Sequence, residues 1–379
     1  KEYCKQLDYL SAVTKEDVVA FANEYLRDNN YVVVYKRQGV DDTVQKVSAP
    51  AITPIVANRD NQSDFLKEIQ ASEVKPIEPV YVDFSKDMAQ FDLADGVNVL
   101  YKKNETNGLF QLTLNYNYGI VDNPALALAG DYISYLGTAD MSAEDFASKM
   151  YELACDASFR AGTYSSSISL SGLSENMAEA LALFENLVLN AQADEDVLAG
   201  VKSDILKSRA NSLKNQSSCF SALYNYVVYG EDYIKSSRLS NKELENVTSE
   251  EIFAAVKDIL SKGHEVSYYG PMSESEFKDA FACHYIAEGA AALPERFAQQ
   301  LPTAGNKVYL AQYDANQIRY RQISNRGEKY QPEIAARLNL YNEYFGGGMN
   351  TIVFQEMREA RGLAYSANAR LYAPEYADD

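Results

Sequence analysis

A helix–strand unit written twice constrains this chain more than any other feature. Residues 13–26 read VTKEDVVAFANEYL and residues 247–260 read VTSEEIFAAVKDIL, an offset of 234 positions. In the first copy Thr14 and Asp17 form a T-x-x-D capping signal, and Val18, Phe21, Ala22 and Tyr25 fall on one helical face. The spacing predicts a helix over 14–27 and a β-rich strand over 31–36. In the second copy Thr248 and Glu251 cap a helix carrying Ile252, Ala255 and Ile259. Gly263 ends it and Val266–Tyr269 is the strand. A supersecondary unit that returns after the length of a domain plus a linker indicates a duplicated domain.

A second echo extends the pattern. GVNVLY at 96–101 and GNKVYL at 305–310 each open a strand, and PALALAGDYISYLG at 124–137 resembles PEIAARLNLYNEYFG at 332–346. Both of the latter read as helices with Pro near the start and Gly after the last turn. Residues 48–80, with Pro50, Pro54, Pro76 and Pro79, read as a linker with one short helix near 62–71. The chain therefore divides into the tail of one domain (1–47), a linker (48–80) and a complete domain (81–275). A connecting helical segment (276–299) and the first part of a further domain (300–379) follow.

Within 81–275 the expected order is strand, strand, helix, helix, strand, three helices, strand. Phe110, Leu112, Leu114 and Tyr116 alternate with polar residues, as do Ile168 and Leu170 among serines. One wet and one dry face imply a mainly antiparallel sheet covered by helices, an α+β fold. The first residue is Lys1 and the last patterned segment runs close to Asp379, so the sequence reads as part of a longer polypeptide.

Composition removes most autonomous chemistries. The net charge of -19 opposes nucleic-acid backbones, and no apolar run approaches the roughly 20 residues that span a bilayer. Only two histidines occur, His264 and His284, so no H-x-x-x-H or H-x-x-E-H can be written. The four cysteines form no C-x-x-C, and no phosphate-binding glycine motif or G-x-S-x-G is present. His264 follows a helix end, where a cationic ring suits the dipole. Cys283–His284 reads as a free thiol beside a surface histidine.

Residues 341–367 read YNEYFGGGMNTIVFQEMREARGLAYSA. The pattern predicts a helix, a glycine loop at Gly346, Gly347 and Gly348, and a second amphipathic helix. Ile352, Phe354 and Met357 form the latter's buried side, and a turn leads on into a strand. Arg358 and Tyr365 lie seven apart, across the helix end at Gly362. The Gly-Gly-Gly-Met loop, Phe-Gln-Glu and Arg-x6-Tyr around Arg-Gly-Leu-Ala-Tyr closely resemble the C-terminal-half signature of the pitrilysin/insulinase zinc metallopeptidases. Those proteins carry four homologous α+β domains arranged as two halves of a clamshell. The resemblance extends more weakly over the whole chain.

The resemblance implies that 1–47 closes a second domain, 81–275 is the third and 300–379 begins the fourth. In the family an H-x-x-E-H helix of the first domain, with a distant Glu, holds zinc. The equivalent positions here are Leu128, Ala129, Gly130, Asp131 and Tyr132, placed by the following Tyr135-Leu136-Gly137-Thr138. Both histidine positions are lost, and 198–207 offers only Asp204 for the distant Glu. The chain alone is expected to be inactive, with no cofactor of its own and zinc in the full-length protein. Its expected partners are peptide substrates and an N-terminal catalytic half, on the same chain or a partner subunit. In the family the residues matching Arg358 and Tyr365 reach the substrate at the zinc site, and related non-catalytic subunits engage substrate through the glycine loop. An alternative is a proteolytically inactive peptide-binding or assembly module of the same fold. The Tyr-rich, Trp-free, acidic composition suits a bacterial periplasmic or envelope protein over a cytoplasmic one.

Overall fold

Alternation along 109–116 becomes strand β3 at the middle of a six-stranded sheet. The computed structural model describes residues 3–29, 31–39, 43, 45, 48 and 62–374. It divides into two units, Lys1–Glu78 and Pro79–Asp379.

The first unit holds helices α1 (Gln6–Ser11), α2 (Lys15–Tyr25) and α3 (Asp64–Ala71). The Thr14 capping box forms at α2: the Asp17 N–H donates to Thr14 Oγ1 at 3.2 Å and the Thr14 N–H to Asp17 Oδ2 at 2.9 Å. No residue of α2 is buried, so the expected apolar face of Val18 and Phe21 is exposed. Residues 31–36 form no strand, because an extended run becomes one only with a paired neighbour. The sequence elements lying on 49–60 fall outside the described residues.

The second unit opens with α4 (Phe84–Asp87), β1 (Ala89–Ala94), β2 (Val97–Lys103) and β3 (Leu109–Tyr116). Next come α5 (Leu126–Ile133), α6 (Ala143–Glu152), β4 (Cys155–Ala161) and β5 (Ser166–Leu173). Helices α7 (Met177–Asn190), α8 (Glu195–Ser212), α9 (Gln216–Ser236), α10 (Asn241–Asn246) and α11 (Ser249–Leu260) follow. Strand β6 (His264–Gly270) and helix α12 (Glu274–Phe281) close this part. The Thr248–Glu251 capping box forms at α11 as its sequence directs.

Sheet order is β1-β2-β6-β3-β5-β4. All neighbours are antiparallel except β2 and β6. The fold is α+β. One register row runs Val99, Val266, Leu114, Ile168, Phe159, and every member is buried. Helices α5, α7 and α11 cover that face with Leu128, Leu181, Phe184, Ile252 and Val256. The opposite face shows Gln111, Thr113, Asn115, Ser167 and Ser169, none of them buried.

Strands β1 and β4 are additions to the sequence reading. Both are edge strands with weak alternation, such as AQFDLA in β1. Beyond residue 300 the chain runs without regular structure to Pro332–Ile334, then forms α13 (Ala335–Phe345) and α14 (Ile352–Phe354). The expected strand at 305–310 is absent, and Val308 and Leu310 are exposed. No helix among the described residues is long and apolar enough to cross a membrane.

Candidate substrate-contact site and the helix at 126–133

The glycine loop is stapled by a buried amide. Asn342, in α13, donates from Nδ2 to the Leu371 carbonyl and accepts the Leu371 N–H at Oδ1, both at 2.8 Å. Its carbonyl accepts the N–H groups of Gly346 (3.1 Å) and Gly347 (2.7 Å). A side chain at Gly346 would collide with the backbone of Ala369, so close approach dictates glycine there. Thr351 is also buried, and its hydroxyl donates to the Gly348 carbonyl at 2.6 Å.

One π turn, Gln355–Glu359, extends α14 and carries Arg358. The chain then reverses at Gly362, whose φ of 57° lies in the left-handed region open to glycine. Its N–H donates to the Arg358 carbonyl at 3.1 Å, and the Leu363 N–H to that of Met357 at 2.9 Å. This reversal brings Tyr365 back over Arg358. The guanidinium carbon lies 4.7 Å from the Tyr365 ring centroid and 4.7 Å from that of Phe354. A guanidinium nitrogen also lies 3.4 Å from the Glu359 carboxylate. Tyr365 is 86% exposed, so its phenol is presented outward. The expected buried side of this helix is not realised: Ile352 and Met357 stay exposed and Phe354 half-buried, because no second layer packs on them. The strand expected after Gly362 is likewise absent.

Positions 128–132 lie on α5. Leu128 and Tyr132 are fully buried, while Asp131 faces solvent. The Tyr132 hydroxyl lies 2.8 Å from Ser249 Oγ and 3.1 Å from the Asp194 carbonyl, and accepts the Asp194 N–H at 3.0 Å. Ser249 in turn donates to Glu195 Oε1 at 2.7 Å. Asp204 is exposed on α8. An aliphatic chain, an engaged phenol and an outward carboxylate do not fit a zinc ion. Among the described residues no group of three His, Cys, Asp or Glu side chains is placed to hold a metal.

Both histidine expectations need correction. His264 starts β6 rather than ending a helix, and it is buried. Burial, then the neighbouring His284, pushes it down to about 4, so it is neutral at neutral pH rather than cationic. His284 is buried too: its Nδ1 contacts Glu185 Oε1 and its Nε2 lies 2.9 Å from His264 Nε2. The sequence reading missed Glu185. Its signal is a carboxylate among Leu181, Phe184 and Val188 on the apolar face of α7.

Residues 246–377 match the family model of the peptidase M16 inactive domain. Over this stretch the sequence is similar to that family. The stretch takes in α11, β6, the glycine loop and the Arg358–Tyr365 pair. In fold the chain is similar to the peptidase M16 inactive domain from Pseudomonas fluorescens (TM-score 0.55, 19% identity, 76% of this chain and 71% of that one). It is also similar to a protease from Helicobacter pylori (0.55, 14%, 74% and 70%). A conserved protein from Enterococcus faecalis V583 gives 0.54, 16%, 74% and 71%. At these identities the likeness is one of fold, the α+β architecture. No curated protein matches the sequence significantly.

Proposed function

We propose that this chain is the non-catalytic half of a zinc-dependent M16 endopeptidase. It closes the substrate chamber and presents Arg358 and Tyr365 to peptide held at a catalytic centre carried elsewhere. The observation that carries this reading is the pairing of Arg358 with an outward-facing Tyr365 beside an ordered glycine loop, in a chain whose own zinc-motif positions are filled by Leu128 and Tyr132. Chemically the pair suits acyl transfer. A phenol O–H donates to the charge that develops on a peptide carbonyl under attack, and a guanidinium holds peptide or charge beside it. Stacking under the guanidinium limits the phenol's freedom before substrate arrives. Extended peptide is held by strand addition at a sheet edge, for which β1 and β4 are the two edges here.

The test is steady-state hydrolysis of a quenched fluorescent peptide by the full protein that unites this chain with its catalytic half. Arg358→Ala and Tyr365→Phe should each lower kcat, on the order of a hundredfold or more if the group meets developing charge. Unchanged turnover in both variants refutes the role. A full protein that binds peptides and cleaves none favours the assembly-module reading.

A further inference from the structure

Residues 282–297 run from the end of α12 toward the segment bearing the Arg358–Tyr365 pair. They contain no helix or strand, only an isolated bridge from Ala292 to Gly263. At the far end the Arg296 guanidinium donates to both Asp122 oxygens (2.9 and 2.5 Å) and to the Asn117 carbonyl (3.3 Å). Midway, Asn117 Nδ2 donates to the Leu293 carbonyl at 2.9 Å. At the near end the fastening is of another kind. The only two histidines of the sequence meet there with their rings perpendicular, 5.0 Å between centroids.

His264, His284 and Glu185 are all more than nine-tenths buried, at 4%, 8% and 7% exposure. Glu185 grips the strap twice, through His284 Nδ1 and through the Tyr285 N–H at 3.1 Å. Two ring nitrogens 2.9 Å apart share one proton between them. A carboxylate at His284 Nδ1 fixes a second proton, and His264 Nδ1, 3.3 Å from the Lys262 carbonyl, can take a third. A fourth sets N–H against N–H and splits the rings. The fastened strap therefore cannot hold both histidines as imidazolium, whereas the open strap in acid can.

We propose that Glu185, His284 and His264 form an acid-operated latch that holds residues 282–297 against the sheet at neutral pH and releases them as pH falls.

The other titratable groups facing the cluster do not compete. Tyr116 of β3 lies 4.6 Å from the His264 ring centroid, and burial, then Glu185, raises its phenol. Burial, then Glu185, also raises the Cys283 thiol on the strap itself. Lys262 turns its ammonium to Asp258 at 2.7 Å. His264 is held at about 4 in the closed form, against about 6.5 for a free imidazole. The open form therefore binds the extra proton. Closure is fully favoured above about pH 6.5 and weakens as pH falls toward about 4, roughly tenfold per pH unit.

Hydrogen exchange on the whole chain, corrected for intrinsic rates, tests this between about pH 6.5 and about pH 4.5. Peptides spanning 282–297 should lose protection by up to about a hundredfold while those of β3 and β5 hold. In His264→Gln the side-chain amide still donates toward His284 Nε2 but does not titrate, so its strap should stay protected at the lower pH. Equal protection of the wild-type strap at both values overturns the latch. So does simultaneous opening of strap and sheet, or the same acid loss in His264→Gln.

Discussion

Tyr132→Phe measures what the buried phenol of α5 contributes to the fold. The substitution keeps the ring on Phe253, 5.8 Å away between centroids, and removes only the hydroxyl. That oxygen contacts Ser249 at 2.8 Å and the Asp194 carbonyl at 3.1 Å, and accepts the Asp194 N–H at 3.0 Å. Ser249 keeps Glu195 as a partner, so its loss is small. The Asp194 N–H, at the N-cap of α8, loses its acceptor. One stranded donor plus the net value of the lost bonds comes to about 2 kcal/mol. For a unit running from Pro79 to Asp379 that is about 3 °C in Tm. Urea denaturation followed by far-ultraviolet circular dichroism should show a lower midpoint with an unchanged slope. Tyr135→Phe, at a 64% exposed position, is the control and should change nothing measurable. If Tyr132→Phe matched the wild type within about 0.5 kcal/mol, the hydroxyl would not be a structural tie between α5, α8 and α11.

Other consequences can be checked on the same protein. Phe277→Ala removes a fully buried ring lying between Tyr268 (4.4 Å) and Phe281 (5.2 Å), and should cost about 3–5 kcal/mol in the same denaturation assay. Gly346→Ala should open the loop–Ala369 contact, read as faster exchange or proteolysis at 346–350 and 368–371 with little change in the sheet. Added zinc should leave the Tm of the isolated chain unmoved, since a ligand that binds only the folded state would raise it. A clear upward shift would mean that the chain forms a metal site.

Legibility followed the range of the determining interactions. Both capping boxes, the β3 and β5 alternation and the Arg358–Tyr365 spacing were readable because residues three to seven apart decide them. The parallel pairing of β2 with β6 was not, because Val99 and Val266 are 167 positions apart and nothing local names the partner. The same limit hid the histidine cluster. Seen alone, His264 looked like a helix-end cation and His284 like a surface ring. Only the tertiary fold sets them on Glu185, from 99 residues upstream of His284. Strands expected at 31–36 and 305–310 failed for a complementary reason. Their β-branched and aromatic content was right, but a strand exists only as one side of a pair.

The same contrast bears on the proposed difference between positions 128–132 and the Arg358–Tyr365 pair. A zinc site of the H-x-x-E-H class needs its ligands held within tenths of an ångström, so a helix without histidines cannot form one. Leu128 and Tyr132 of α5 instead pack at full burial. The Arg358–Tyr365 pair has a different dependence. Its geometry comes from one π turn and the left-handed residue Gly362, all within the seven-residue spacing. No metal and no distant strand is needed to form it. Substituting Gly362 by Ala should therefore separate the two side chains while α5 and the sheet stay intact. In the full protein it should lower turnover as Tyr365→Phe does, although residue 362 carries no side chain to offer substrate. If Gly362→Ala left turnover untouched while Tyr365→Phe reduced it, the phenol would be acting without the guanidinium. The stacked pair would then not be the working unit.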